Sequence, residues 1–167
     1  DPRVTVHTPM WIWLSTGVRA LDHAIELLCA PRADPISDGN ALQTLRLLSR
    51  ALPRVKRDPN DLDARLDCQF AAWISLMARQ YGLTLGISHA IGHTLGNHAG
   101  VPHGYTSCVM LPPSMRYNQP VVAERHRLVA EAMGHPNDDA ADVVRAFISD
   151  LGMPGRLADV GVGRDQF

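Results

Sequence analysis

The sequence has 167 residues, of which 46% are hydrophobic and 20% are charged, and its formal net charge is −1. A chain of this length and composition predicts one domain with a sizeable core. The near-zero net charge gives no electrostatic case for binding nucleic acid or an anionic membrane surface.

The cysteines, Cys29, Cys68 and Cys108, are far apart and odd in number, so we expect free thiols among apolar neighbours. Free thiols favour a reducing cytoplasm as the location of the protein. No apolar run has the length of a membrane span. The unusual feature of the composition is its eight histidines.

Hydrophobic periodicity predicts an all-α fold. Residues 1–9 are predicted to be extended, because residues 3–7 alternate and Pro9 ends the alternation. A first helix is predicted from Ser15 or Thr16 to about Cys29, with an apolar face of Val18, Leu21, Ile25 and Leu28.

Two further helices are predicted in the N-terminal half. One covers about residues 38–56, after a turn-rich loop, and Pro53 should kink its end. The other covers about residues 60–81 and stops at Gly82. Its apolar side chains at helical spacing predict an inward-facing stripe of Leu62, Leu66, Phe70, Ile74 and Met77.

The C-terminal half is predicted to continue as helices. The first covers about residues 88–97, and a turn over residues 100–104 follows it. A helical stretch then reaches Tyr117, interrupted by the pair Pro112–Pro113. Two amphipathic helices, over 121–133 and 138–151, are ended by glycines.

The candidate chemistry lies in a group of histidines. His89 and His93 are four residues apart on a predicted helix, so they share a face and could hold one metal ion. The zinc-protease motif places Glu directly after the first histidine, where this chain has Ala90, so a metal-dependent hydrolase lacks its general base. His103 follows a glycine-rich turn that can fold its imidazole back onto the same helix.

The pattern leaves two interpretations of this segment open: a metal or catalytic site, or glycines that allow close helix packing around structural histidines. His23 lies on the first helix. Its neighbour Asp22 points about 100° away around the helix, so we expect it to be a poor co-ligand. The isolated His7, His126 and His135 are more simply structural or surface residues.

The residues from His89 to Gly96, the run 101–104, and Leu111–Pro112 with Arg116–Asn118 resemble the signature of iron-containing alcohol dehydrogenases. Residues 16–26, Thr-Gly-Val-Arg-Ala-Leu-Asp-His-Ala-Ile-Glu, resemble the other metal-binding stretch of that family. The resemblance covers essentially the whole chain.

The resemblance implies a two-domain enzyme of the dehydroquinate synthase-like and iron-containing alcohol dehydrogenase superfamily. In that family an N-terminal domain binds the dinucleotide through a glycine-rich phosphate loop, and an all-helical C-terminal domain carries the metal. Residues 1–167 contain no such loop, so we expect them to be the C-terminal type of domain alone, truncated at both ends and inactive without the nucleotide-binding domain.

By the same resemblance, His23, His89 and His103 match metal-ligand positions, and His93 matches a non-ligand histidine close to the reacting carbon. Arg19 stands where the family usually has an Asp ligand. Arginine cannot ligate a metal, and a cation about 5 Å from a divalent ion would cost roughly 7 kcal/mol at an effective dielectric constant near 20. Three neutral histidines can still hold zinc, while iron is less favoured.

The related maleylacetate reductases also lack that Asp and act on a dicarboxylate. The resemblance therefore implies that Arg19 could bind a substrate carboxylate through paired hydrogen bonds. The alternative is a surface ion pair of Arg19 with Asp22 or Glu26.

Together these observations predict the metal- and substrate-binding domain of an NAD(P)-dependent oxidoreductase that interconverts an alcohol and a carbonyl compound. The expected cofactors are NAD(P), held by the N-terminal domain, and Fe or Zn, weakened by Arg19. The expected partners are a small-molecule substrate and the nucleotide-binding domain of the same protein, with a homodimer left open. The alternative function is a non-catalytic helical metal-binding module.

Overall fold

The computed structural model describes residues 1–164, and no strand occurs in that part of the chain. The elements in chain order are α1 (Pro2–Thr5), α2 (Met10–Leu28), α3 (Pro35–Arg57), α4 (Leu62–Ile74), a 3-10 helix (Met77–Tyr81), α5 (Ile87–Ala99), α6 (His103–Ala132), α7 (Ala140–Asp150) and a second 3-10 helix (Leu157–Val160). The predicted all-α fold is confirmed. Within residues 1–164, no helix combines the length and apolarity needed to span a bilayer.

Helix α2 lies at the centre of the packing. It contacts α3 and α6, α3 also packs on α4, and α6 packs on α5 and α7. The predicted apolar face of α2 is confirmed, since its side chains are at most 2% exposed in Val18, Leu21, Ile25 and Leu28. One main core joins α2, α3, α4, α6 and α7, so the opposite edge of α2 is available for polar residues.

The prediction that residues 1–9 are extended was wrong. Asp1 caps the short helix α1, and α2 already begins at Met10. The cause is the fully buried Arg65 of α4, whose guanidinium donates to the carbonyl oxygens of Thr5 and Pro59 at 2.8 and 2.7 Å. This contact joins residues sixty positions apart, and a five-residue alternation carries no information about it.

The predicted inward stripe of the third helix was also wrong. Leu62, Leu66 and Phe70 are 37%, 38% and 51% exposed, whereas the buried face of α4 consists of Ala64, Arg65, Cys68 and Ala71. Helix α4 has apolar residues on two sides, and small side chains let its backbone approach α3 closely. The helix ends at Ile74, and the 3-10 helix after it ends at Gly82, which has a φ of +83°.

Prolines interrupt the helices less than predicted. Helix α3 runs past Pro53 to Arg57, and α6 runs through Pro112 and Pro113. The break in α6 lies at Val122, where φ is −129° and ψ is 24°. A proline inside a helix lowers its stability by about 3 kcal/mol. Burial of the α6 side chains around Pro112 and Pro113 offsets that loss.

The crossing of α2 and α6 depends on Gly104. The turn predicted over residues 100–104 is shorter than expected, because His103 is already the first residue of α6. A Cβ atom at position 104 would lie 2.7 Å from the backbone carbonyl carbon of Ser15. Because only glycine permits this approach, Gly104 brings the start of α6 onto the polar edge of α2.

We predict that Gly104→Ala lowers the free energy of unfolding by about 1–3 kcal/mol, because the added methyl group meets the α2 backbone. Gly39 in α3 has no atom within 4 Å of a Cβ position. As a matched control, Gly39→Ala should raise the free energy of unfolding by about 0.5–1 kcal/mol. Urea denaturation measures both, and equal effects of the two substitutions would contradict the close crossing.

Candidate functional site

One edge of α2 carries four polar side chains, at positions 19, 22, 23 and 26. This spacing keeps them on one side of the helix. The Asp22 side chain is fully buried, and the Glu26 side chain is 8% exposed. Buried carboxylates require hydrogen-bond donors. Residues 86–89 supply them to Glu26 and to Asp22 Oδ2, whereas Asp22 Oδ1 has no hydrogen-bond partner among residues 1–164.

Glu26 caps the start of α5 from another helix. The residue at the N-terminal boundary of α5 is Gly86, which has no side chain to serve as a cap. Instead, the backbone N–H of Gly86 donates to Glu26 Oε2 at 2.8 Å, and that of Ser88 donates to Oε1 at 2.7 Å. A helix N-terminus favours a negative charge, so the carboxylate and the helix stabilise each other.

His89, in the first turn of α5, contacts both carboxylates. Its Nδ1 lies 2.7 Å from Glu26 Oε2 and 3.4 Å from Asp22 Oδ2, and the Ser88 hydroxyl donates to Asp22 Oδ2 at 2.9 Å. Burial raises the pKa of Asp22 to about 7, with Glu26 adding to the increase and His89 opposing it. The other ring nitrogen, Nε2, is buried and has no hydrogen-bond partner among residues 1–164.

The four predicted site histidines form a row. The rings of His23 and His89 stack with centroids 4.8 Å apart, His89 and His93 are 6.4 Å apart, and His93 and His103 are 5.5 Å apart. His93 and His103 are exposed, so the row is open to solvent at that end. The structure therefore brings these four residues into one row, which runs from the largely buried His23 and His89 to the exposed His93 and His103.

Two of these histidines have altered pKa values. Burial, and next the charges of His89 and Arg19, lower the pKa of His23 to about 3. Its Nδ1 is buried without a hydrogen-bond partner in the described part of the chain. Burial and Arg19 also lower the pKa of His103. Both residues are therefore neutral at physiological pH, the form that can bind a metal ion.

Arg19 points along this row toward α6. Its Nη1 makes long hydrogen bonds to the carbonyl oxygen of His103, at 3.4 Å, and to the hydroxyl of Ser107, at 3.3 Å. No ion pair of Arg19 with Asp22 or Glu26 occurs among residues 1–164, although both carboxylates act on it at longer range. The Arg19 charge therefore lies next to the exposed end of the histidine row.

The close grouping of potential metal ligands differs from the predicted triad. Over the described residues, the group whose ligand atoms lie within 4.8 Å of one another is Asp22, Glu26 and His89. The 2.7 Å between His89 Nδ1 and Glu26 is a hydrogen-bond distance, and tetrahedral zinc ligands about 2.1 Å from the ion would be about 3.4 Å apart. We interpret this group as the hydrogen-bonded support of His89. The triad of His23, His89 and His103 stays a prediction.

Sequence reasoning missed Asp22, Glu26 and Ser88. The available signal was the four-residue spacing of Asp22 and Glu26, which places both on one helical face. The structural interpretation of the isolated histidines holds for two of them: His126 is buried against Gln119, and His135 pairs with Asp138 at the surface.

Comparisons with known proteins identify similar chains. Residues 13–167 match the model for the C-terminal region of the Fe-containing alcohol dehydrogenase family. The maleylacetate reductase of Pseudomonas knackmussii is 34% identical over 163 residues, which are 97% of this chain and 45% of that protein. The 1,3-propanediol dehydrogenase of Citrobacter freundii is 33% identical and matches 100% of this chain and 45% of its own length.

A solved structure is similar over the same extent. The crystal structure of maleylacetate reductase from Rhizobium sp. strain MTP-10005 superposes with a TM-score of 0.90 at 31% identity, covering 99% of this chain and 46% of that one. The chain thus spans slightly less than half the length of the relatives that it matches.

The low pKa of His23 predicts a pH dependence of stability. Between about pH 6.5 and 3 the unfolded chain binds a proton at His23 that the folded chain does not, so stability is lost as the pH falls. His23→Gln should flatten this loss, and the exposed His98→Gln should not. Urea denaturation across this range, with a chelator present, measures the difference. Parallel curves for wild type and His23→Gln would contradict the buried neutral state.

Proposed function

This chain belongs to the iron-containing alcohol dehydrogenase family, and from this premise we propose that it is the metal- and substrate-binding domain of an NAD(P)-dependent oxidoreductase. The reaction would transfer a hydride between the nicotinamide and a carbonyl carbon, and a proton between the protein and the resulting alkoxide. The observation that carries the proposal is the row of four histidines beside Arg19, which the sequence resemblance matches to site positions of the family.

A divalent metal would be held by His23, His89 and His103. The fit is supported by two buried imidazole nitrogens, His23 Nδ1 and His89 Nε2, which have no hydrogen-bond partner among residues 1–164. When bound, the metal would polarise the carbonyl oxygen of the substrate. Arg19 would weaken metal binding, because it places a positive charge where the family usually has a carboxylate ligand.

Arg19 would bind the substrate. Its Nη1 makes only long hydrogen bonds, and neither Nε nor Nη2 makes a hydrogen bond within residues 1–164. These donors match the geometry of a carboxylate. Since the Arg19 cation lies next to the exposed end of the row, that end favours an anionic group. This supports a carboxylate-bearing substrate, as the maleylacetate reductase relatives suggest.

His93 would exchange the proton. It is exposed, lies between His89 and His103 in the row, and has no carboxylate partner among the described ion pairs. An imidazole can give or accept a proton near neutral pH. In carbonyl reduction it would donate a proton to the alkoxide oxygen as hydride reaches the carbon, and it would accept that proton in alcohol oxidation.

The first test concerns metal. Purified wild-type protein should contain far less than one metal ion per chain, and Arg19→Asp should raise zinc or iron occupancy, because it replaces a cation by a carboxylate one helical turn from His23. The exposed Arg46→Asp makes the same charge change elsewhere and should leave occupancy low. Elemental analysis measures the metal. Stoichiometric, tightly held iron in the wild type would refute the proposed role of Arg19.

The second test concerns substrate, in a protein that also contains the nucleotide-binding domain. Arg19→Met should lower kcat/KM for a carboxylate-bearing carbonyl substrate by about 10- to 100-fold, because a charge-assisted hydrogen bond is lost. A neutral aldehyde should be affected much less. Steady-state kinetics on both substrates measures the ratio, and equal losses for the two would argue against a carboxylate contact.

A further inference from the structure

We propose that Glu26 is a positioning residue that fixes the tautomer of His89 and directs its Nε2 lone pair into the histidine row. The inference deepens the proposed function, since it concerns how the site sets one of its imidazoles. Within residues 1–164, no hydrogen bond or ion pair joins Glu26 to Arg19, His93 or His103. It would act on the chemistry only through His89.

The donors around Glu26 decide the tautomer. Its Oε1 accepts from the Ser88 N–H at 2.7 Å, and Oε2 accepts from the Gly86 N–H at 2.8 Å. Backbone N–H groups can only donate, and the start of α5 favours an ionised carboxylate. The third contact, 2.7 Å from Oε2 to His89 Nδ1, must therefore be an Nδ1–H donating to the carboxylate.

The opposite nitrogen is consistent with this assignment. His89 is 2% exposed, and its Nε2 has no partner within residues 1–164. A proton on Nε2 would be a buried donor without an acceptor, which costs about 1–3 kcal/mol. A lone pair there is less costly and remains available to a metal ion or a substrate hydroxyl. Carboxylates that orient a ligating histidine in this way are a general feature of metal sites.

The fold provides the space for this contact. A Cβ atom at position 86 would lie 2.9 Å from Glu26 Oε1, so glycine at the start of α5 lets the carboxylate reach both N–H groups. Asp22 is a weaker candidate for the same role, because it lies 3.4 Å from His89 Nδ1 and accepts from the Ser88 hydroxyl. The geometry therefore assigns the orientation of His89 to Glu26 first.

The experiment reads the tautomer directly by NMR of protein labelled with ¹⁵N-histidine, with a chelator present, at about pH 8, where imidazoles are neutral. Wild-type His89 should be a single Nδ1–H tautomer with a slowly exchanging, strongly downfield proton. A wild-type His89 protonated on Nε2 would overturn the proposal without any variant.

Glu26→Gln keeps the size of the side chain but offers one acceptor oxygen to three N–H donors. With the amide oxygen at the Oε2 position only the Ser88 N–H is opposed, and His89 keeps its Nδ1–H. With the oxygen at the Oε1 position the Gly86 N–H and the His89 Nδ1–H are both opposed unless His89 takes the Nε2–H tautomer, so we expect that tautomer to become populated beside an Nδ1–H form whose proton is shifted less far downfield. If His89 in this variant remains entirely Nδ1–H with an unchanged downfield proton, another residue sets the tautomer and the proposal fails. Asp61→Asn is the control, because Asp61 also caps a helix and binds Arg54, and its loss should leave His89 unchanged.

This test needs no dinucleotide, substrate or turnover. Failure of the enzyme assays would refute the proposed function and leave the tautomer result standing. A wrong tautomer would refute the role of Glu26 and leave the assays of Arg19 standing.

Discussion

The burial of two carboxylates on one helix constrains the whole site. Asp22 and Glu26 lie one turn apart on α2, and neither could be buried without donors, because an uncompensated buried charge costs several kcal/mol. The first turn of α5 supplies two backbone N–H groups, a hydroxyl and an imidazole. The position of α5 on α2, and with it the position of His89, therefore follows from the hydrogen bonds to Glu26 and to Asp22 Oδ2, while Asp22 Oδ1 has no partner within residues 1–164.

The same constraint arranges the charges across the site. The carboxyl groups of Asp22 and Glu26 lie deep, where α5 meets α2, and the Arg19 cation lies toward α6 and the exposed histidines. Burial holds His23 neutral between them, as its low pKa indicates. A surface with this polarity attracts an anionic group at its open end, and it is poorly suited to an additional divalent cation there. This is the physical reason for proposing a carboxylate-bearing substrate and a weakly held metal.

Close backbone contacts make this geometry possible at two glycines. At Gly104 the start of α6 meets the backbone of α2, which places His103 beside Arg19. At Gly86 the missing side chain leaves room for Glu26. Close packing at these two glycines brings α5 and α6 onto α2, and with them the imidazoles of the row.

Local pattern was enough to predict the all-α fold, the buried face of α2 and the ends of helices at Gly134 and Gly152, and the resemblance of short motifs was enough to predict the family. Helical period, left-handed glycines and short motifs are properties of neighbouring residues, so they can be read without a fold. The shared surface of His89 and His93 followed from the same four-residue spacing. Only the tertiary structure decided which face of α4 is buried, whether prolines break a helix, and that Asp22 and Glu26 belong to the site. Those outcomes depend on contacts between residues some sixty positions apart, such as Arg65 with Thr5 and Glu26 with Ser88. A local pattern does not indicate which distant donor a buried group will contact.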